Sequence, residues 1–210
     1  MYRSGERVSK ENQAAPGPAV GAVLTGGASR RMGVDKAFIA WEGRPLAQHV
    51  AERVARACAR VVLVGGAGRG YEALGLPWWP DPAGLEGRGP LAGLVAALGR
   101  APRILLVACD LPEVEALVLG RLMAAAGSAP VAMPVWGDGR LEPTVGVYAR
   151  GALGAARSSL AGGSGRMSDL LSVRGARLIP IEALGSEAQV TRVFRNLNRP
   201  EDLAAARTVI

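Results

Sequence analysis

Ala22 to Lys36, reading A-V-L-T-G-G-A-S-R-R-M-G-V-D-K, is the stretch on which the fold turns. An apolar run enters a glycine pair and leaves through basic residues that end on a lysine, the grammar of a strand followed by a ligand-facing turn. Among 25 Lys and Arg side chains only Lys10 and Lys36 are lysines. A chain that uses arginine for its surface charge has placed a compact ammonium after a glycine-rich loop, which points to phosphate. The loop does not follow the P-loop template, because Gly33 is followed by Val34 and Asp35 before Lys36. It does not follow the dinucleotide fingerprint either, and neither does the cluster Gly65, Gly66, Gly68 and Gly70. What remains is a loop whose amides can wrap a polyphosphate, with Arg31 and Lys36 adding charge. The same residues also suit an ordinary strand-to-helix connection with surface cations.

Outward from this loop the pattern alternates. Ala19 to Leu24 predicts a buried strand, and Pro45 opens a helix with Leu46, Val50 and Val54 on one stripe. Val61 to Val64 is a second strand. Pro90 opens a helix carrying Leu91, Leu94, Val95 and Leu98. Ile104 to Ala108 is a third strand, and Pro112 begins a helix with Val114, Leu117, Val118 and Leu122. Val145 to Tyr148 and Arg177 to Ile181 read as further strands, Met167 to Val173 as a short helix, and Pro200 opens a closing helix with Leu203. Strands separated by helical segments predict βαβ units in an α/β fold with a mainly parallel sheet. The right-handed crossover rule then gathers the Gly26 to Lys36 loop, the segment around Asp81, and Asp110 along one edge.

The bulk properties narrow the class. At 210 residues the chain suits one α/β domain, expected over residues 19–210 behind a polar, Pro-Gly-Pro-ended tail at 1–18. That tail lacks the apolar centre of a secretory signal. An apolar fraction of 49% without a run of about 18 apolar residues argues for a packed core and no membrane span. Cys58 and Cys109 are too few for a disulfide framework and read as small buried hydrophobes, which places the chain in a reducing cytoplasm. The net charge of +7 is spread over scattered arginines and aromatics make up 4%, so nucleic acid is not the expected partner. An anionic small molecule accounts for the charge equally well.

Asp110 follows a strand directly, where it fits either a Mg²⁺ ligand facing a phosphate loop or the cap of the helix after it. Asp81, between Pro80 and Pro82, fits a ligand contact or a turn. His49 is the single histidine, and with no nucleophile elbow hydrolase chemistry is not expected. Glu142-Pro143-Thr144, Asn196 and Asn198 fit substrate contacts or caps alike.

Five ordered stretches carry a resemblance: Leu24 to Lys36, Gly89-Pro90-Leu91-Ala92-Gly93, Cys109-Asp110-Leu111-Pro112, Glu142-Pro143-Thr144, and Phe194 to Leu203. In these the chain resembles the molybdenum cofactor guanylyltransferases, within the nucleotidyltransferases of Rossmann-like, three-layer fold. The resemblance implies transfer of GMP from GTP to the phosphate of molybdenum-molybdopterin, with release of pyrophosphate. It implies that Leu24, Gly26, Gly27 and Ser29 line the nucleotide, that Arg31 and Lys36 hold the triphosphate, and that Asp110 ligates Mg²⁺. Asp81 would contact the guanosine, and Asn196 and Asn198 would lie toward the pterin. Molybdoenzymes or their insertion chaperones are the expected recipients of the product. Two other readings use the same residues: a cytidylyl or phosphosugar nucleotidyltransferase, and a cofactor-delivery protein without catalysis. One departure stands out, since some relatives have an asparagine after the second strand where this chain has Gly65.

Overall fold

The computed structural model describes residues 17–26, 35–66 and 70–197. Residues 1–16 of the expected tail, Gly27, Ser29 and Arg31 of the loop, Asn198, and the helix expected from Pro200 lie outside the described residues.

Strand β1 (Val20–Leu24) is followed by a small hairpin, β2 (Ala40–Trp41) and β3 (Arg44–Pro45), and by α1 (Leu46–Ala55). Then come β4 (Val61–Val64), β5 (Trp78–Trp79), α2 (Pro90–Arg100), β6 (Arg103–Ala108) and α3 (Ala116–Ala126). The second half adds β7 (Val131–Val135), β8 (Val145–Ala149), α4 (Leu153–Ala161), β9 (Arg177–Pro180) and α5 (Glu187–Val193). Seven strands form one sheet in the order β5-β4-β1-β6-β8-β7-β9. β1 lies between β4 and β6 and pairs with both in parallel, which is why its sequence is apolar without alternation.

The sheet separates two cores. On β6, Leu105 and Val107 face one core with Val50 and Val54 of α1, Val118 and Leu122 of α3, and Val190 of α5. Ile104 and Leu106 face the other, with Leu94 and Leu98 of α2 and Leu160 of α4. The period of two along β6 therefore feeds both faces of a three-layer α/β/α sandwich. Among the described residues no helix is long and apolar enough to cross a membrane.

The sheet is mainly parallel, as expected, with β8 the one reversed strand of the seven, antiparallel to both β6 and β7. Three expectations need correction. Pro45 stands just outside α1 because its ψ of 135° is extended and it pairs with Ala40 in the β2–β3 hairpin. Pro112 begins no helix: Val114 turns back onto the Leu111 carbonyl at 3.2 Å, and α3 starts at Ala116 after an extended Glu115. Leu117 consequently points outward at 57% exposure, while Val114, Val118 and Leu122 are buried as expected. Six of the labelled elements, β2, β3, β5, β7, α4 and α5, were not read from the sequence. β7 contains Pro134, which interrupts an otherwise strand-like run.

Candidate active site

The loops that leave β1, β4 and β6 emerge on the same edge, and the chain crosses from β1 toward β4 but returns to β6 on the other side. That reversal opens a crevice between the ends of β1 and β6, where doubly wound sheets bind ligands. The edge is tightly stitched: the Thr25 amide donates to Val64 O at 2.8 Å and the Cys109 amide to Leu24 O at 3.1 Å.

Across the crevice, Lys36 Nζ meets Asp110 Oδ2 at 3.0 Å, joining residues 74 positions apart. Their side chains are 16% and 21% exposed, so the pair is sheltered yet reachable. Because α3 begins at Ala116, Asp110 is not its cap, and the cap alternative falls away. Lys36 opens a short 3-10 turn, Lys36–Phe38, whose cap is Asp35: its Oδ1 accepts the Ala37 amide at 2.9 Å. The expected catalytic pair is thus brought together. Arg31, the third expected catalytic residue, lies outside the described residues.

Gly26 follows the strand with φ of +77° and comes so close to Gly66 that a Cβ on it would lie 2.3 Å from the Gly66 Cα. The glycine at this turn is therefore required for close approach of two backbones.

Asp81, expected to contact a nucleoside, follows β5 and is 8% exposed. Its Oδ2 accepts the Gly87 amide at 3.1 Å, while Oδ1 is buried without a hydrogen-bond partner among the described residues. Burial pushes this carboxyl's pKa up, and the Gly87 and Gly66 amides only partly offset the rise. An orphaned buried acceptor suits an incoming N–H or O–H group.

The reversed β8 delivers a further carboxylate to this edge, because its N-terminal end lies beside the C-terminal end of β6. Glu142, just before it, is buried, with Oε1 accepting from Trp136 Nε1 at 2.7 Å and Arg140 Nη1 at 2.8 Å. Burial raises its pKa, the Trp136 and Arg140 donors oppose that, and the nearby Asp110 charge adds to it. The Arg140 guanidinium covers the Trp136 ring at 4.4 Å, and Phe194 meets that ring edge to face. The C-terminal segment is tied in through the Leu197 amide, which donates to Asp110 O at 2.9 Å. Asn196 is exposed next to that anchor. Asp35, Tyr71 and Trp136 were missed from the sequence, where no spacing marked them.

His49 and the cysteines take structural roles. His49 is buried with Nε2 3.0 Å from Pro112 O, and burial lowers its pKa. Cys58 and Cys109 are buried free thiols; burial pushes Cys58 up to about 11 and raises Cys109 as well.

Among the described residues no three His, Cys, Asp or Glu side chains converge on a metal position. A hard cation does not require three here. Mg²⁺ in nucleotide sites typically takes one or two carboxylates and completes its shell from phosphate oxygens and water. Asp110 beside Lys36, with Glu142 nearby, fits that donor chemistry.

Asp81 carries a prediction for stability. An acid with a raised folded-state pKa binds its proton more tightly in the folded chain than in the unfolded one. Its contribution therefore favours folding below the ordinary carboxylate range and is lost as pH rises through the folded value. Glu142 has the same sign. Asp81→Asn is expected to raise the melting midpoint at neutral pH relative to wild type, with the difference shrinking in acid. Thermal melts of both proteins across that range check it; a variant less stable at neutral pH contradicts it.

The model of the MobA-like NTP transferase domain matches residues 21–178. A probable molybdenum cofactor guanylyltransferase of Pelotomaculum thermopropionicum is 33% identical over 193 residues, covering 91% of this chain and 93% of that protein. Another, from Deinococcus radiodurans, is 34% identical and covers 89% of this chain and 93% of that protein. The crystal structure of molybdopterin-guanine dinucleotide biosynthesis protein A from Archaeoglobus fulgidus superposes with a TM-score of 0.77 at 26% identity, covering 90% and 97% of the two chains. The 2-C-methyl-D-erythritol 4-phosphate cytidylyltransferase of Thermus thermophilus, at TM-score 0.61 and 19% identity over 91% of this chain and 97% of its own, shares the fold.

Proposed function

The chain belongs to the MobA-like NTP transferase family, and from that premise we propose that it transfers GMP from GTP to the terminal phosphate of molybdenum-molybdopterin. The acceptor phosphate attacks the α-phosphorus, the bond to the β-phosphate breaks, and pyrophosphate leaves. The observation that carries this reading is the Lys36–Asp110 pair across the β1–β6 crevice.

Attack of one phosphate on another brings two anions together, so the barrier falls where fixed positive charge meets the transferring group. Lys36 supplies that charge, and the amides of the Gly26 turn, continued through Gly27 and Ser29 with Arg31, cradle the triphosphate. Asp110 would hold Mg²⁺ together with phosphate oxygens, and the ion would supply charge neutralisation at the transferring phosphate. The attacking phosphate is ionised at neutral pH, so no side chain has to remove a proton, and the buried structural role of His49 costs catalysis nothing. Asp81 offers its orphaned Oδ1 to the guanosine. Gly65 is no substitute for a side-chain contact there: its φ is +88° and a Cβ would lie 2.9 Å from Thr25 O, so an asparagine in this backbone would be strained. The contact that the resemblance expects of that asparagine then falls to Asp81. Leu24 borders the nucleotide, and Asn196 and Asn198 are assigned to the acceptor side. The product goes on to molybdoenzymes or their chaperones in the cytoplasm.

The guanylyl reading is favoured over a cytidylyl, phosphosugar or delivery role by the names of relatives that match over most of both chains. It is tested by the melting temperature with Mg²⁺ and each of GTP, CTP, ATP and UTP. Saturation at about a hundredfold excess over Kd is worth ~2.7 kcal/mol, and the shift is expected with GTP. A shift confined to CTP moves the chain to cytidylyl transfer. No shift with any nucleotide rejects a preformed nucleotide site. Pyrophosphate release on addition of molybdopterin completes the test.

A further inference from the structure

The loops that follow β1 and β4 are joined by a contact that no expected substrate group makes. Tyr71 opens a short 3-10 turn, Tyr71–Leu74, and is 1% exposed. Its hydroxyl donates to Asp35 Oδ2, while Asp35 Oδ1 accepts the Ala37 amide. Both oxygens of Asp35 are therefore engaged, one residue before Lys36. The Tyr71 ring is itself fixed: Trp78 lies at 5.3 Å and Phe38 at 5.4 Å between ring centroids. Gly66 closes the remaining side, where a Cβ would come within 2.9 Å of the ring. Burial first, and the Asp35 carboxylate second, raise the hydroxyl's pKa, with Thr25 opposing, so it remains a protonated donor.

We propose that Tyr71 is a positioning residue of the transferase, acting through Asp35 to hold the backbone at 35–37 so that the Lys36 ammonium stands over the triphosphate. The proposal rests on the guanylyltransferase reading. A phenol suits the task because it orients a carboxylate without placing a second cation beside Lys36. It also ties the nucleotide loop to Trp78, at the start of the strand that leads to Asp81, so the phosphate and nucleoside sides of the site share one brace.

Tyr71→Phe keeps the ring and deletes the oxygen. Calorimetric affinity for GTP with Mg²⁺ is measured for wild type, Tyr71→Phe, Lys36→Met and the double variant, with inorganic triphosphate as a second probe. Tyr71→Phe is expected to weaken both probes about tenfold with little change in the melting midpoint. In the Lys36→Met background it should weaken them less than about twofold, because the residue through which it acts is gone. An equal tenfold loss in both backgrounds makes Tyr71 a support of the fold only and overturns the proposal. Unchanged affinity in Tyr71→Phe beside normal wild-type binding overturns it while leaving the transferase reading intact. Wild-type protein that takes up no GTP overturns both. If Tyr71→Phe lacks a cooperative melt, Asp35→Ala removes the same contact together with the cap on Ala37, so a loss of at least about tenfold is expected, again shrinking below about twofold in the Lys36→Met background.

Discussion

Lys36→Ala and Asp110→Ala are each expected to lower turnover at least about a hundredfold, the scale of one preorganised electrostatic group lost from a transition state. Both side chains are largely withdrawn from water, so their fields are weakly screened, and they face each other at 3.0 Å on the edge where the phosphate loop and β6 end. Neither substitution should unfold the chain. The backbone carbonyl of Asp110, which receives the Leu197 amide, survives in Asp110→Ala, and the Asp35 cap on Ala37 survives in Lys36→Ala. Single-turnover GMP transfer with melting controls reads the effect. Because the two groups act on the same phosphates, the double variant should lose less than the product of the single losses. Near-normal turnover in either single variant removes that residue from the mechanism.

Gly26→Ala should damage the site from beneath. Its φ of +77° costs a side chain about 1–2 kcal/mol, and the new Cβ would stand 2.3 Å from the Gly66 Cα and 2.5 Å from the Gly66 nitrogen. Backbone cannot rotate away as a flexible side chain can, so overpacking adds about 1–3 kcal/mol. The expected loss is about 2–5 kcal/mol, a fall in melting temperature on the order of 10 °C for a chain of this size, together with loss of nucleotide binding. Gly84→Ala is the control: its φ is +79° but nothing lies within 4 Å of its Cβ. It should pay the conformational term alone. Equal melting temperatures for the two variants would mean that β1 and β4 separate freely at their ends, contrary to this account.

Much of the α/β framework was readable because it is written locally. Uninterrupted apolar runs marked β1, β4 and β6, and the Pro90 stripe of Leu91, Leu94, Val95 and Leu98 marked α2. The reading failed where tertiary context outranked pattern. Leu117 sits at helical spacing from buried neighbours, yet the turn at Leu111–Val114 delays α3 and leaves it in solvent. The direction of β8 could not be read either, since an apolar run has no sense of orientation. That reversal is what brings Glu142 beside Asp110.

From the sequence by itself came the chain's layered α/β character, its glycine turn with a solitary lysine, and its place among the nucleotidyltransferases, since each is carried by residues adjacent along the chain. Only the tertiary structure decided which polar groups are partners: Lys36 with Asp110, Tyr71 with Asp35, and Asp81 left with a buried oxygen unmatched. The reason is physical. Backbone preference and hydrophobic period act over a few residues and are visible in a string of letters, whereas ion pairing and desolvation depend on strand order and direction. Strand order and direction bring into contact residues that the sequence holds 36 and 74 positions apart.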